Sequence, residues 1–315
     1  MPADSANPVP TVAPPYTERL APDVYAYIQP DGGWCLNNAG FVTGPGPTVL
    51  VDTAATRARA RALAEAIAAT GAPPPAHVVN THHHGDHTHG NGHFTPGATV
   101  IGHLNCRREM LATGLALQRA WPGVDWGEIV VSPPSVTYTD RMVLHAAGTE
   151  IHLVHPGTPA HTTGDTVVWL PERRTVFVGD LVFNGIAPFL VEGSLDGSLR
   201  ALDLLRSLDA EVVVPGHGPV CGPEAYTATE HYLRTVRRLA AAGRAAGLTV
   251  LQIARAAARE AADRDVLDHP ERLVANLHRA LAELDGAPAG SPLSLPRIQR
   301  DVMDFTGGAP LVCHA

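Results

Sequence analysis

The residues best suited to chemistry are concentrated at positions 81–89, which run Thr-His-His-His-Gly-Asp-His-Thr-His. Neutral imidazole and carboxylate groups are ligands that zinc prefers in proteins, and iron and manganese accept them as well. Their local spacing lets several of these side chains reach one cation without help from distant segments. A His-rich stretch alone is also compatible with a solvent-exposed surface, so its meaning depends on what accompanies it.

Three further potential ligands lie at or just beyond the ends of predicted strands. His161 is followed by Thr-Thr-Gly-Asp, Asp180 follows the strand predicted at 175–179, and His217 lies within Pro-Gly-His-Gly-Pro. The neighbouring Gly and Pro residues allow the backbone to approach a ligand closely. We therefore expect the His-rich stretch and these three residues to converge on metal ions at a sheet edge.

Short runs rich in β-branched and aromatic residues predict the strands that carry these side chains. The predicted strands are residues 24–28, 48–52, 77–80, 99–102, 150–154, 166–170, 175–179 and 211–214. A helix is predicted at 57–70, and the turn at 171–174 predicts an antiparallel connection. Strands alternating with helices, with some antiparallel pairs, indicate two sheets covered by helices on their outer faces.

The pattern divides the chain into three parts. Residues 1–18 are predicted to be a disordered, Pro-rich leader, and residues 19–222 the layered domain. Residues 223–315 are predicted to be a helical appendage and tail, because apolar residues recur at helical spacing in 231–242, 250–261 and 273–284. The tail is expected to begin at Gly286.

The order of the candidate ligands resembles the metallo-β-lactamase superfamily. The pattern is His-x-His-x-Asp-His, followed by a His, an Asp and a His, and the resemblance covers roughly residues 23–219. It implies an α/β fold, a four-layer αββα sandwich, here followed by the helical appendage. His155 also follows a predicted strand, but His161 is preferred because Thr-Thr-Gly-Asp after it matches the family motif.

Carried over by position, the resemblance implies two metal ions that share one bridging carboxylate. The implied ligands are His82, His84 and His161 for the first metal, Asp86, His87 and His217 for the second, and Asp180 between them. Asp52 matches a position that orients the ligands. The ions are expected to be divalent, zinc first and iron or manganese as alternatives, and to lower the pKa of a shared water. Asp86 and Asp180 are the predicted catalytic residues, whereas His83 is expected to pack or hydrogen-bond.

Several branches of the superfamily fit this chain poorly. The bridging residue is Asp180 and not Cys, and the chain has no Lys to pair with a β-lactam carboxylate. Oxygen-reducing diiron relatives carry Glu at the place of His84. Nucleases need a basic surface, and this chain has a formal net charge of −8. Chemistry at a carbonyl group remains: hydrolysis of thioesters, lactones or esters, or carbon–carbon bond formation through an enolate.

Three stretches also resemble the metallo-β-lactamase-fold cyclases of bacterial aromatic polyketide (actinorhodin-type) biosynthesis. They are residues 25–40, 273–280 and 307–315. The preferred interpretation is therefore a cyclase that catalyses aldol-type ring closure, with thioester release as a further step. The alternative is a glyoxalase II-like thioester or ester hydrolase, which shares the Asp bridge and a helical C-terminal part. An aromatic substrate requires flat apolar walls, and the residues predicted to supply them are Trp34, Trp121, Trp126 and Phe189.

Composition limits the compartment and the partners. No apolar stretch approaches 18 residues, no signal peptide is recognised, and the four Cys residues form no pairs in sequence. We therefore expect a soluble cytoplasmic protein. The predicted partner is a small-molecule carbonyl substrate, alternatively a polyketide bound to an acyl carrier, without nucleic acid or membrane. The oligomeric state is left open, with a homodimer as one option.

Overall fold

The computed structural model describes residues 13–261 and 267–315, in which the strands form two sheets. The first sheet has seven strands in chain order: β1 (Tyr16–Ala21), β2 (Val24–Ile28), β3 (Ala39–Val42), β4 (Thr48–Val51), β5 (Pro75–Val79), β6 (Thr99–His103) and β7 (Val136–Tyr138). The second has five strands, in the spatial order β12-β11-β10-β9-β8: β8 (Arg141–Ala146), β9 (Thr149–Val154), β10 (Val167–Leu170), β11 (Thr175–Phe183) and β12 (Val212–His217).

Helices cover the outer faces and form the C-terminal part. Those within the layered region are α1 (Arg57–Ala69), α2 (Gly85–Thr88), α3 (Asn91–Phe94), α4 (Leu104–Thr113) and α5 (Leu195–Ser207). Those that follow are α6 (Glu224–Ala245), α7 (Val250–Ala261), α8 (Arg272–Leu284) and α9 (Leu295–Phe305). No helix in the described part of the chain is long and apolar enough to cross a membrane.

The two faces of each strand explain the layering. In β2, Val24, Ala26 and Ile28 point into the core between the sheets, whereas Tyr27 points to the other face and packs with Leu63 of α1. Alternation follows from the pleat, because successive side chains leave a strand on opposite sides. Burying each large aliphatic side chain contributes about 1.5–3 kcal/mol. The residues of the second sheet in this central core include Ile151, Leu153, Val168 and Phe177.

The C-terminal helices share a core with the second sheet. Val176 of β11 and Leu202 of α5 belong to the same buried cluster as Leu233 of α6 and Leu277 of α8. The boundary predicted at residue 222 therefore marks a change in secondary structure, while the core continues across it.

The predicted αββα layering and the C-terminal helices are confirmed, and the structure adds two elements near the ends of the chain. Strand β1 begins at Tyr16, inside the stretch predicted as a disordered leader, because backbone pairing with β2 fixes it as an edge strand. Residues 1–12 of that leader lie outside the described residues. Helix α9 lies inside the predicted tail, because Ile298 and Val302, four residues apart, are both buried.

Candidate metal centre

The His-rich stretch forms a tight turn and the short helix α2, directly after β5. Asp52 follows β4 and holds this turn: its Oδ1 accepts from the Thr81 backbone N–H at 2.7 Å, and its Oδ2 accepts from Thr81 Oγ1 at 2.6 Å. Strands β4 and β5 are parallel neighbours, so their carboxyl ends meet at the same edge. Asp52 has a φ of +57°, a conformation that Asp tolerates better than most residues.

The second sheet brings three further residues to the same place. His161 lies between β9 and β10, Asp180 lies in β11 and His217 ends β12. Asp165 fixes the first of these loops, since one of its oxygens accepts from the His161 backbone N–H at 3.0 Å. Strands β11 and β12 approach closely here, and a Cβ on Gly216 would overlap Asp180 Oδ1.

One group of ligand atoms comes from His82, His84, His161 and Asp180, all within 4.8 Å of one another. His161 Nε2 lies 3.0 Å from His84 Nδ1 and 3.4 Å from Asp180 Oδ2. His82 Nε2 lies 3.9 Å from Asp180 Oδ2. This is the first set of ligands that the sequence resemblance implies.

The second group comes from Asp86, His87 and His217, again within 4.8 Å. His217 Nε2 lies 3.4 Å from Asp86 Oδ2. Asp180 contacts this group as well, with Oδ1 3.1 Å from His87 Nε2 and Oδ2 3.6 Å from His217 Nε2. The structure thus brings all predicted ligands together and places Asp180 between the two groups, although their binding of metal stays a prediction.

The ring nitrogens that face away from the centre have partners that fix each ring. His87 Nδ1 lies 2.8 Å from Asp52 Oδ2, and His82 Nδ1 lies 3.0 Å from Thr81 Oγ1. His161 Nδ1 donates to the Phe189 carbonyl oxygen at 2.7 Å, and His217 Nδ1 donates to the Gly32 carbonyl oxygen at 2.9 Å. Such contacts orient imidazoles toward a metal, and Asp52 has the orienting position expected of it.

The pKa values of the ligand imidazoles shift in two directions. Burial lowers the pKa of His84 and of His87, but the carboxylates beside them, Glu192 at His84 and Asp180 at His87, outweigh it and raise both values. Burial lowers the pKa of His82 well below its usual value and that of His161 to about 3, so both rings are neutral. Burial opposes ionisation of Asp180, but the imidazoles of His217 and His87 hold its pKa well below its usual range. Neutral imidazole and ionised carboxylate are the forms that bind divalent cations.

Three buried ligand atoms without hydrogen-bond partners indicate whether the site fits metal ions. His82 Nε2, His87 Nε2 and Asp180 Oδ1 have no hydrogen-bond partner among the described residues. Each unpaired buried polar atom costs about 1–3 kcal/mol, which bound cations would offset. The nitrogen and oxygen donors suit zinc. The residues present therefore fit two divalent ions.

Glu192 is a neighbour of the centre that the sequence did not indicate. Its Oε2 lies 2.8 Å from His84 Nε2 and 3.0 Å from His83 Nε2. His83 thus has a hydrogen-bonding partner, as expected, while His155 lies outside both ligand groups and stacks on His103 with ring centroids 4.1 Å apart. Glu192 lies in an irregular loop between β11 and α5, where no motif or periodicity marks it.

A cavity of about 810 Å³ opens directly over the two groups and is lined by Asp86, Asp180 and His217 at its base. Its walls are mainly apolar and include Trp34, Trp121 and Phe189. The Trp34 ring lies edge-on to Phe189 at 5.2 Å and 5.6 Å from Trp121, measured between ring centroids. Three of the four predicted substrate contacts thus line the cavity.

Trp126 lies apart from the other three predicted substrate contacts. This ring is buried behind the wall, in a small cluster with Cys35 and Ala55, and is absent from the residues that line the cavity. Its Nε1 donates to the Trp121 carbonyl oxygen at 3.2 Å. Trp126 therefore supports Trp121 from behind the wall, and its contact with a substrate stays a prediction.

Part of the cavity wall comes from C-terminal segments in which no site residue was predicted. Helix α8 contributes Arg272, helix α9 contributes Ile298 and Val302, and the irregular segment after α9 contributes Leu311. The Leu311 carbonyl oxygen accepts from Trp121 Nε1 at 2.9 Å, across 190 residues of sequence. No local pattern indicates such a contact.

Comparison with known proteins places this geometry in a family. Residues 32–217, more than half of the chain, match the Metallo-beta-lactamase superfamily. A hydroxyacylglutathione hydrolase from Methylococcus capsulatus is 32% identical over 173 residues, which are 54% of this chain and 57% of that protein. The alpha subunit of a 2,4-dinitroanisole O-demethylase from Nocardioides sp. is 28% identical over 199 residues, 58% of this chain and 54% of that one. The chain thus spans about half the length of these curated relatives.

Solved structures support the same fold. A metallo-beta-lactamase from Pontibacter korlensis has a TM-score of 0.57 at 22% identity, over 70% of this chain and 99% of that one. FIM-1 from Pseudomonas aeruginosa, in its mono-zinc form, has a TM-score of 0.58 at 20% identity, over 72% and 97% of the two chains. Such identities show the fold alone. Together with the profile match and the clustered ligands, they establish that the chain belongs to the metallo-β-lactamase superfamily.

Proposed function

We propose that this chain is a metal-dependent hydrolase of esters or thioesters whose acyl part is bulky, flat and apolar. The observation that carries the proposal is the cavity of about 810 Å³ above both ligand groups, with Trp34, Trp121 and Phe189 in its walls. Aromatic walls favour flat apolar ligands, and a pocket of this size accepts a molecule of several rings. The hydroxyacylglutathione hydrolases among the relatives support hydrolysis as the reaction.

Two divalent ions held by the clustered ligands would polarise the carbonyl group and supply an activated water. The chain's own residues do the remaining work. Asp52 holds the His87 ring and Glu192 holds the His84 ring, so the ligands need little rearrangement. The carboxylate of Asp180, between the two groups, offsets their positive charge, and the aromatic walls exclude bulk water from the acyl group.

The cavity offers glutathione few cationic groups. Glutathione carries two carboxylates, which proteins usually bind with Lys or Arg. The chain has no Lys, and the Arg residues among the described residues that line the cavity are Arg119, which is exposed, and Arg272, which is buried in the wall. Because the rest of the wall is mainly apolar, we assign the larger part of recognition to the acyl group.

The aromatic cavity also favours the second candidate, a polyketide cyclase. A poly-β-keto chain, free or attached to an acyl carrier, presents 1,3-dicarbonyl oxygens that two metals can bind, which stabilises an enolate for aldol closure. The named relatives described above are hydrolases and a demethylase, so hydrolysis remains the preferred proposal.

Three substrates given to the zinc-loaded protein test the proposal. We expect kcat/KM for the 2-naphthoyl thioester of N-acetylcysteamine to exceed that for S-lactoylglutathione by about tenfold or more. Both rates should vanish after treatment with a chelator and return with zinc. Faster cleavage of S-lactoylglutathione would contradict the assigned acyl group. A new ring product from a partly cyclised polyketide thioester, with no thioester cleavage, would favour the cyclase instead.

A further inference from the structure

Arg272 brings a positive charge into the cavity wall, and the described residues leave most of its donors free. It begins α8, is 2% exposed and lines the cavity. Its Nη1 donates to the Ala187 carbonyl oxygen at 3.0 Å, while its Nε is buried without a hydrogen-bond partner. Within the described residues, no carboxylate forms an ion pair with the guanidinium at 4.0 Å or less.

Two aromatic rings fix the guanidinium in place. Its central carbon lies 4.3 Å from the Trp34 ring centroid and 5.2 Å from that of Phe183. Trp34 is itself held, because its Nε1 donates to Glu271 Oε1 at 2.9 Å. Cation–π contacts orient an Arg and leave its in-plane donors available for another group. The guanidinium is therefore positioned before any ligand arrives.

A second Arg on the same helix has more hydrogen-bond partners, although its Nε is also buried without one among the described residues. Arg279 is fully buried, and its Nη2 donates to the carbonyl oxygens of Val191 at 2.5 Å and Ser291 at 2.6 Å. It does not line the cavity. Arg279 joins segments of the fold, whereas Arg272 has one carbonyl partner and faces the site.

The carboxylates near Arg272 do not supply the partner that its guanidinium lacks. Burial lowers the pKa of Arg272, and the carboxylates of Asp180 and Glu271 raise it, while an Arg stays charged in proteins. Asp180 is a predicted metal ligand, so bound cations would offset its charge. A buried charge is stable only with a partner, and Glu271, whose Oε1 already accepts from Trp34, forms no ion pair with Arg272 at 4.0 Å or less.

We propose that Arg272 is the anion-binding residue of the cavity and binds a carboxylate, phenolate or enolate oxygen carried by a flat aromatic ligand. The aromatic part of this ligand rests on the proposed function, but binding of the anion does not depend on hydrolysis. Arg272 would thus select acidic aromatic substrates over neutral ones and place their anionic end beside Trp34.

Binding of 2-naphthoate and of neutral 2-naphthamide to the zinc-loaded protein, measured by calorimetry, tests this proposal. Arg272→Met should weaken naphthoate by about ten- to hundredfold, because a charge-assisted hydrogen bond is lost. Naphthamide should change by less than about threefold. Arg297→Met, which removes an exposed Arg that does not line the cavity, should leave both affinities within about threefold.

Zinc content and melting temperature, measured on each variant, separate binding from folding. Unchanged naphthoate affinity in a folded, zinc-replete Arg272→Met variant would overturn the proposal, because the metals would then bind the anion. If that variant does not fold, Arg272→Lys carries the test, since a hydrated ammonium cannot lie flat between Trp34 and Phe183. Naphthoate affinity equal to that of the parent would again overturn it.

The same measurements distinguish this inference from the proposed function. Naphthoate binding that depends on Arg272, in a protein that cleaves no thioester, leaves the anion site standing and rejects hydrolysis. Thioester cleavage by the parent, together with an unchanged naphthoate affinity in Arg272→Met, would support hydrolysis and reject the anion site. Absence of naphthoate and naphthamide binding in the parent would reject the anion site and the aromatic cavity together.

Discussion

The metal edge and the cavity walls are built in different ways. At the edge, the ligands lie in β11 and β12, in the turn and short helix α2 after β5, and in the loop between β9 and β10. Neighbours such as Asp52 and Asp165 hold an outward nitrogen or a loop of this edge. The walls come from loops, from α8 and α9, and from the segment around Leu311, joined across up to 190 residues by contacts such as that with Trp121.

This difference separates two kinds of function. Two sheets hold the edge, so we expect its residues to determine whether metal is bound. The walls depend on tertiary packing, so we expect their residues to determine which substrate is bound. We therefore expect substitutions at the edge to change metal content and substitutions in the walls to change selectivity.

The largest effect is expected from Asp180→Ala. Its carboxylate lies within 3.6 Å of ligand nitrogens from both groups, so its loss removes negative charge shared by the two. The variant should retain about one metal and lose activity by on the order of a thousandfold. Elemental analysis and kcat measure this. His83→Gln, the matched control in the same loop, should keep both metals; two metals in Asp180→Ala would contradict the bridging role.

A smaller effect is expected from Asp52→Ala, which removes the partner of His87 Nδ1 and of Thr81 without removing a ligand. Metal affinity should fall by about ten- to hundredfold, the usual cost of losing an orienting carboxylate. Competition with a chromophoric chelator measures it. An unchanged affinity would mean that the sheets alone orient the ligands.

Trp34→Leu tests the expectation that substitutions in the walls change substrate selectivity. Metal content should stay unchanged, because Trp34 contacts no ligand, while KM for the 2-naphthoyl thioester should rise about tenfold. S-lactoylglutathione should change by less than about threefold. Trp126→Phe, behind the wall, should preserve the ratio of the two substrates. Loss of metal in Trp34→Leu would contradict the expectation that substitutions in the walls leave the metal content unchanged.

The smallest effect concerns His103, a buried histidine outside the metal edge. Burial and the neighbouring His155 ring lower its pKa to about 4. The unfolded chain takes up this proton near pH 6.5, so stability is lost as pH falls from about 6.5 to 4. His103→Asn should reduce the fall in Tm between pH 7 and 5 by about 1–3 °C.

This substitution keeps a helix-capping acceptor, because His103 Nδ1 accepts from the Asn105 backbone N–H at the start of α4, and Asn is a good cap. Comparing the variant with its parent cancels the contribution of the metal ligands. Identical pH dependence in both proteins would show that His103 does not titrate below its ordinary range.

The same contrast explains what the sequence could predict. The ligands of the His-rich stretch are adjacent in sequence, and Asp180 and His217 follow from the positions of strands and glycines. Glu192 and Arg272 were missed because a lone charged residue has no periodicity, and its role depends on which segment packs beside it. Trp126 was assigned to the cavity because composition does not distinguish the inner from the outer side of a loop.

The ends of the chain show the same limit. Strand β1 has three consecutive polar residues, Thr17, Glu18 and Arg19, and no alternation, so its pairing with β2 is what identifies it. The buried residues of α9 have helical spacing, but the helix becomes part of the core through packing on α7 and α8. Fold class follows from local pattern, whereas edge strands and late helices require long-range contacts.

The cavity wall around Leu311 is held by few hydrogen bonds. Residues 309–315 have no helix or strand, and the Trp121 indole and Arg59 guanidinium hold this backbone at the carbonyl oxygens of Leu311 and His314. Segments held by few hydrogen bonds open locally at a small fraction of the global unfolding free energy. We expect opening here to expose the cavity while both sheets and every predicted ligand stay in place. A product too large for the mouth would then leave through this wall while the predicted metal ligands keep their positions.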